Sequence, residues 1–177
     1  RVYRDPHAVL GHRRLSIIDL TTGQQPMTSE SGDRWIVYNG EIFNHAALRP
    51  KLEARGHQYH SHSDTETILH AFEAFGSDCV AHFRGMFAFA IWDRRTRTLF
   101  CARDRLGIKP FYYFWSRHEF IFASEIKALL EHPSVSAELE ESLLAEHLAY
   151  GYASGEQTLF RGIRQLMPGH TLTLDTA

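Results

Sequence analysis

Residues 86–92 read MFAFAIW, with an apolar side chain at every position. Successive residues of a strand point to opposite faces, so a strand built from this stretch is apolar on both. Such a strand must be covered on both sides. A sheet with one wet face cannot supply that cover. The stretch therefore demands a sheet packed between helices and a second sheet.

The surrounding sequence extends the pattern. Residues 98–103, 111–115 and 119–123 are short β-rich stretches separated by tight-turn sequence. Residues 35–38 predict a further strand running into Asn39-Gly40, a strong turn signal. Residues 9–18 hold another strand candidate, and residues 164–174 place a Pro168-Gly169 turn between two extended pieces. Helices alternate with these. SDTE at 63–66 reads as a capping box, with Ser63 as N-cap and Glu66 at the third helical position, opening a helix that stops at Gly76. Residues 48–55 predict a helix ended by Gly56, with Pro50 in its first turn, where a missing N–H costs little, or else a kink. Shorter helices are expected over 78–83, over 125–131 behind Ser124, and over 141–149. This is an α+β chain read as a single domain over residues 1–177.

Its composition narrows the partners. The 177 residues, 44% hydrophobic, can bury a sizeable core. A formal net charge of -2 offers no field for nucleic acid or an anionic membrane. The arginines are scattered, and the one cluster, Arg94, Arg95 and Arg97, reads as a solvated hairpin tip. No apolar run approaches the roughly 18 residues of a membrane span. Cys79 and Cys101 give neither a disulfide framework nor a CxxC pattern, which fits a reducing cytoplasm. Among the 12 histidines His60 and His62 stand close, but no HExxH or paired-Cys spacing occurs, so no metal is expected.

Four features share one chemical theme: Arg14 within GHRRLSIID, Asn39-Gly40-Glu41 at a strand end, Asp64 at a helix start, and Arg103-Asp104 after another strand. A free α-amino acid amide needs a planar bidentate cation for its carboxylate, which is arginine. Its ammonium needs a carboxylate. Its side-chain amide becomes an oxyanion on attack and needs fixed donors, which an Asn side chain and the next Gly N–H can supply. Singly, each residue has a plainer reading: an ion pair, a hairpin turn, a carboxylate serving a helix dipole.

The motifs GHRRLSIIDL (11–20), GQQPM (23–27), YNGEIFNH (38–45), SHSDTETIL (61–69), FRGMFAFAIWD (83–93), ARDRLGIKPFYY (102–113) and SEIKALL (124–130) together resemble the glutaminase domain of glutamine-dependent asparagine synthetases. The resemblance spans nearly the whole chain, in order. It implies a class II glutamine amidotransferase with an N-terminal nucleophile hydrolase fold, a four-layer α-β-β-α sandwich of two mainly antiparallel sheets. It implies glutamine hydrolysis through a cysteine thioester. Arg14 matches the arginine that holds the glutamine carboxylate, with Leu15, Ser16, Ile17 and Ile18 lining that pocket. Asn39 and Gly40 match the oxyanion hole, and Glu41 and Asp64 the surroundings of the α-ammonium. The segment from Arg103-Asp104 to Pro110 matches a structural element.

The implied partners are L-glutamine and a C-terminal synthetase domain, which would use ATP and Mg to amidate aspartate; this domain itself needs no cofactor. A homodimer is compatible with the family. The family's nucleophile is a cysteine at the first position of the mature chain, whose α-amine, with a pKa of about 8, serves as base. Residues 1–177 open Arg1-Val2-Tyr3 and hold no such cysteine, nor the synthetase Ser-Gly-Gly-x-Asp-Ser loop. The expectation is an N-terminally truncated domain, inactive alone. The alternative is a non-catalytic binding or structural module like that of β-lactam synthetases.

Overall fold

The computed structural model describes residues 1–13 and 23–176. They divide into two compact units, one made of residues 1–102 with 171–176 and one of residues 103–170.

In the first unit, β1 (Val2–Arg4) and β2 (Val9–Gly11) form an antiparallel ribbon. Then come β3 (Met27–Thr28), β4 (Arg34–Ile42), α1 (His45–Glu53), α2 (Asp64–Phe75), a 3-10 helix (Gly76–His82), β5 (Gly85–Asp93) and β6 (Thr98–Arg103). The second unit holds β7 (Tyr112–Trp115), β8 (Phe120–Ala123), α3 (Ile126–Leu129), a 3-10 turn (Glu141–Leu143), α4 (Leu144–Tyr150) and β9 (Ile163–Gln165). The chain then returns to the first unit as β10 (Thr171–Asp175). That unit carries a five-stranded sheet in the order β10-β6-β5-β4-β3, with β10/β6, β4/β5 and β3/β4 antiparallel. The second carries a three-stranded antiparallel sheet in the order β8-β7-β9.

The apolar strand β5 is buried on both faces, as its sequence demands. Phe87, Phe89 and Ile91 join Ile36, Tyr38 and Ile42 of β4, Leu48 and Leu52 of α1, and Ile68 and Leu69 of α2 in one core. On the other face Trp92 is buried and its Nε1 donates to Asp5 Oδ2 at 2.7 Å, while Tyr3 stacks on Trp35 with centroids 4.2 Å apart. The ribbon thus covers that end of the second face. Burial of each large side chain contributes roughly 1.5–3 kcal/mol.

Several local expectations change. Asn39-Gly40 makes no turn. Both residues lie inside β4, opposite Ala88 and Phe87 of β5, because cross-strand pairing over nine residues outweighs a two-residue turn preference. Helix α1 begins at His45, so Pro50 falls in its second turn. Ser63 caps α2, but its Oγ accepts from the Thr65 N–H at 3.3 Å, and Glu66 reaches past the cap to the His60 and Ser61 N–H groups at 2.7 and 2.8 Å. Helix α2 ends at Gly76, whose φ of 59° suits glycine. Ser124 caps nothing: α3 is one turn long and begins behind Glu125. The helix expected over 141–149 is a 3-10 turn followed by α4.

In the second unit the segment after β6 is locked by its own side chains. Asp104 accepts the N–H groups of Leu106, Ile108 and Lys109 at 3.0–3.1 Å. Arg103 donates to the carbonyls of Gly107, Lys109 and Leu166 at 2.6–2.8 Å. Asp104 serves the loop's own backbone, and Arg103 also ties the loop to Gln165 and Leu166.

Candidate glutamine site on β4 and α2

The candidate residues Asn39, Gly40 and Glu41 are consecutive on β4, and Asp64 is the first residue of α2. One carboxylate oxygen joins the two elements. Asp64 Oδ2 accepts from the Tyr38 hydroxyl at 2.7 Å and from the Ile42 N–H at 2.9 Å. The donors stand immediately before and after Asn39-Gly40-Glu41, so Asp64 grips the strand on both sides of the tripeptide. Asp64 is only 4% exposed. Among the described residues its Oδ1 accepts no hydrogen bond.

The strand is shaped for this position. Gly40 has φ +147, and a Cβ there would stand 2.1 Å from the Met86 carbonyl oxygen. A Cβ on Gly85 would likewise stand 2.1 Å from the Glu41 oxygen. Two glycines therefore let β4 and β5 approach at the tripeptide. Tyr38 turns toward α2, and Asn39, next along the strand, is exposed. Burial, with the Asp64 charge beside it, pushes the Tyr38 hydroxyl far above its ordinary pKa, so it stays a donor to Asp64.

Gln25 extends the support. It is buried, its Oε1 accepts from the Tyr38 N–H at 2.6 Å, and its Nε2 lies 3.4 Å from Thr65 Oγ1. The side chain continues along β4 the pairing that β3 begins, and it joins β4 to the first turn of α2. Sequence reasoning passed over Tyr38 and Gln25 as positioning groups. Their signal was their place in YNGEIFNH and GQQPM.

Arg14, Leu15, Ser16, Ile17 and Ile18 lie outside the described residues. A cavity of about 520 Å³ opens between β3 and α2, bordered by Met27, Ser29, Gln58, Ser61, Glu66 and His70. Of the expected glutamine residues that the structure describes, Asn39, Gly40, Glu41 and Asp64, none lines it. Cys79 and Cys101 are fully buried. Burial drives the Cys79 thiol up to about 12 and raises the Cys101 thiol too. Neither is a nucleophile in this state.

Two solved structures share the architecture. One is the allosteric regulatory enzyme of purine biosynthesis; it is 20% identical, covers 86% of this chain and 29% of its own, and has a TM-score of 0.57. The other is the glutamine phosphoribosylpyrophosphate amidotransferase from B. subtilis with ADP and GMP; it is 24% identical, covers 59% and 25%, and has a TM-score of 0.51. The fold is thus that of the N-terminal nucleophile amidotransferases, as expected from the sequence.

Residues 1–177 match the glutamine amidotransferase domain over their full length, and the chain belongs to that family. It is 45% identical over 175 residues to asparagine synthetase [glutamine-hydrolyzing] 3 of Bacillus subtilis, covering 97% of this chain and 28% of that protein. It is 36% identical to a putative asparagine synthetase [glutamine-hydrolyzing] 2 of Methanocaldococcus jannaschii, covering 94% and 35%. The chain therefore spans about a third or less of the length of these relatives. No helix among the described residues is long and apolar enough to cross a membrane.

Proposed function

We propose that residues 1–177 are the glutamine-binding part of an asparagine synthetase-like ligase, releasing ammonia from glutamine for ATP-dependent amidation of aspartate. The observation that carries this reading is the Asp64 grip on Tyr38 and Ile42, which fixes Asn39-Gly40 between them. The relatives' names, glutamine-hydrolysing asparagine synthetases, favour it over a non-catalytic module.

The residues then take these parts. Arg14 pairs with the substrate α-carboxylate, beside Leu15 to Ile18. Glu41 and the Oδ1 of Asp64 receive the α-ammonium. A thiolate adds to the side-chain amide carbon, and the Asn39 amide and Gly40 N–H hold the oxyanion that forms. Collapse breaks the C–N bond, and the proton taken from the thiol leaves with ammonia. Water then hydrolyses the thioester to glutamate. In this reading the thiol is neither Cys79 nor Cys101, both core residues, and residues 1–177 alone release no ammonia from glutamine. ATP and Mg belong to the synthetase part.

In the intact ligase, Arg14→Ala should lower glutamine-dependent kcat/KM by at least about a hundredfold, the loss of a charge-assisted bidentate pair, and leave the ammonia-driven rate unchanged. An equal fall in both rates would make Arg14 structural.

A further inference from the structure

We propose a divalent transition-metal site, best suited to Zn²⁺, formed by His57 Nδ1, His70 Nδ1 and Glu73 Oε2. The three atoms form a nearly equilateral triangle: His57 to His70 is 3.2 Å, His70 to Glu73 3.4 Å and His57 to Glu73 3.6 Å. Zn²⁺ holds histidine nitrogen and carboxylate oxygen at about 2.0–2.1 Å, which sets a tetrahedral edge of about 3.3–3.4 Å. The observed edges bracket that value. An ion about 2.05 Å from all three atoms would stand about 0.6 Å above their plane. That is close to the offset of a regular tetrahedron.

The supporting shell is already built. His70 and Glu73 are one helical turn apart on α2, and His57 comes from the loop after α1, its N–H bonded to the Leu52 carbonyl at 3.2 Å. Glu73 gives its other oxygen to Arg34 Nη1 at 3.1 Å. His70 is 2% exposed, and its Nε2 is buried without a hydrogen bond, 3.7 Å from Glu66 Oε1. Glu66 is itself held by the His60 and Ser61 N–H groups. A metal-bound histidine whose far nitrogen faces a fixed carboxylate is the usual arrangement of such sites. With Nδ1 on a metal, the proton of His70 resides on Nε2 and points at Glu66. Two histidines and one glutamate leave the fourth position to water, and the partial exposure of His57 and Glu73 keeps that side open. The ion would pin the loop before Ser63 to α2.

The competing occupant is a proton shared by the same atoms. The test is therefore metal binding by the chelator-stripped protein, titrated with ZnCl₂ and, for its visible spectrum, CoCl₂. One equivalent should bind saturably, Co²⁺ should show four-coordinate absorption, and Zn²⁺ at about a hundredfold its Kd should raise Tm by about 5–10 °C. His57→Gln, a loop change that leaves α2 intact, should weaken binding at least tenfold and remove the Tm rise. Glu73→Gln should weaken it similarly, and His60→Gln, outside the triangle, should change nothing. Absence of a saturable equivalent, or unchanged affinity in both His57→Gln and Glu73→Gln, would overturn the site.

Discussion

Asp64 Oδ2 accepts the Ile42 N–H at 2.9 Å, so the first residue of α2 holds the strand that carries Asn39 and Gly40. Tyr38 bonds to the same oxygen at 2.7 Å. Asp64→Ala strands both buried donors and should cost roughly 2–4 kcal/mol, read from urea unfolding. Tyr38→Phe should cost about 1 kcal/mol, and the double variant less than the sum of the two. Strict additivity would mean that the hydroxyl and the carboxylate act independently.

Gly40 is irreplaceable for a separate reason. An alanine Cβ would collide with the Met86 carbonyl at 2.1 Å, on a residue already at φ +147. Gly40→Ala should destabilise by about 3 kcal/mol or more. Gly32, also at positive φ but in open space, is the internal control. Gly32→Ala should cost about 1 kcal/mol. Equal urea midpoints for the two variants would contradict the close approach of β4 and β5.

These two positions show how far the sequence could be read. The doubly buried β5, the hairpin partner β6, and α2 between Ser63 and Gly76 follow from local pattern, because each is long or sharply bounded. The place of Asn39-Gly40 within a strand did not follow. Asn-Gly is a turn signal, and only the nine-residue pairing of β4 with β5 absorbs it into a strand. Glu66 belongs to a familiar capping pattern, yet its carboxylate accepts from the His60 and Ser61 N–H groups, six and five residues back, and not from the Ser63 N–H three back. The His57, His70 and Glu73 triangle joins a loop to a helix thirteen residues on, which no spacing rule reports.

Acid should weaken the ribbon at Asp5. Burial alone would raise its pKa, but bonds from the Tyr3 hydroxyl, the His7 N–H, Trp92 Nε1 and the Ala8 N–H outweigh it and hold the carboxyl at about 2. A folded-state pKa below the unfolded value of about 3.9 gives stability that is complete above pH 4 and lost as pH falls toward 2. Because the site is partly open to solvent, the effect should be about 1 kcal/mol. Asp5→Asn should flatten that part of the stability-versus-pH curve. An unchanged slope between pH 4 and 2 would remove Asp5 from the account.

The thiols offer a direct check on the core. Cys79 and Cys101 are fully buried, and burial raises both pKa values. A thiol reagent at pH 8 should modify neither on the time scale of an exposed cysteine, and should titrate two thiols in urea. Rapid native-state modification of either would contradict their packing.

The most direct test of the central claim is Asn39→Ala in the intact ligase, with glutamine and ammonia compared as nitrogen donors. If Asn39 and Gly40 hold the oxyanion, glutamine-dependent kcat should fall about 10²- to 10³-fold, glutamine KM should barely move, and the ammonia-driven rate should stay at its parent value. A change confined to KM, or an equal fall with both donors, would contradict it.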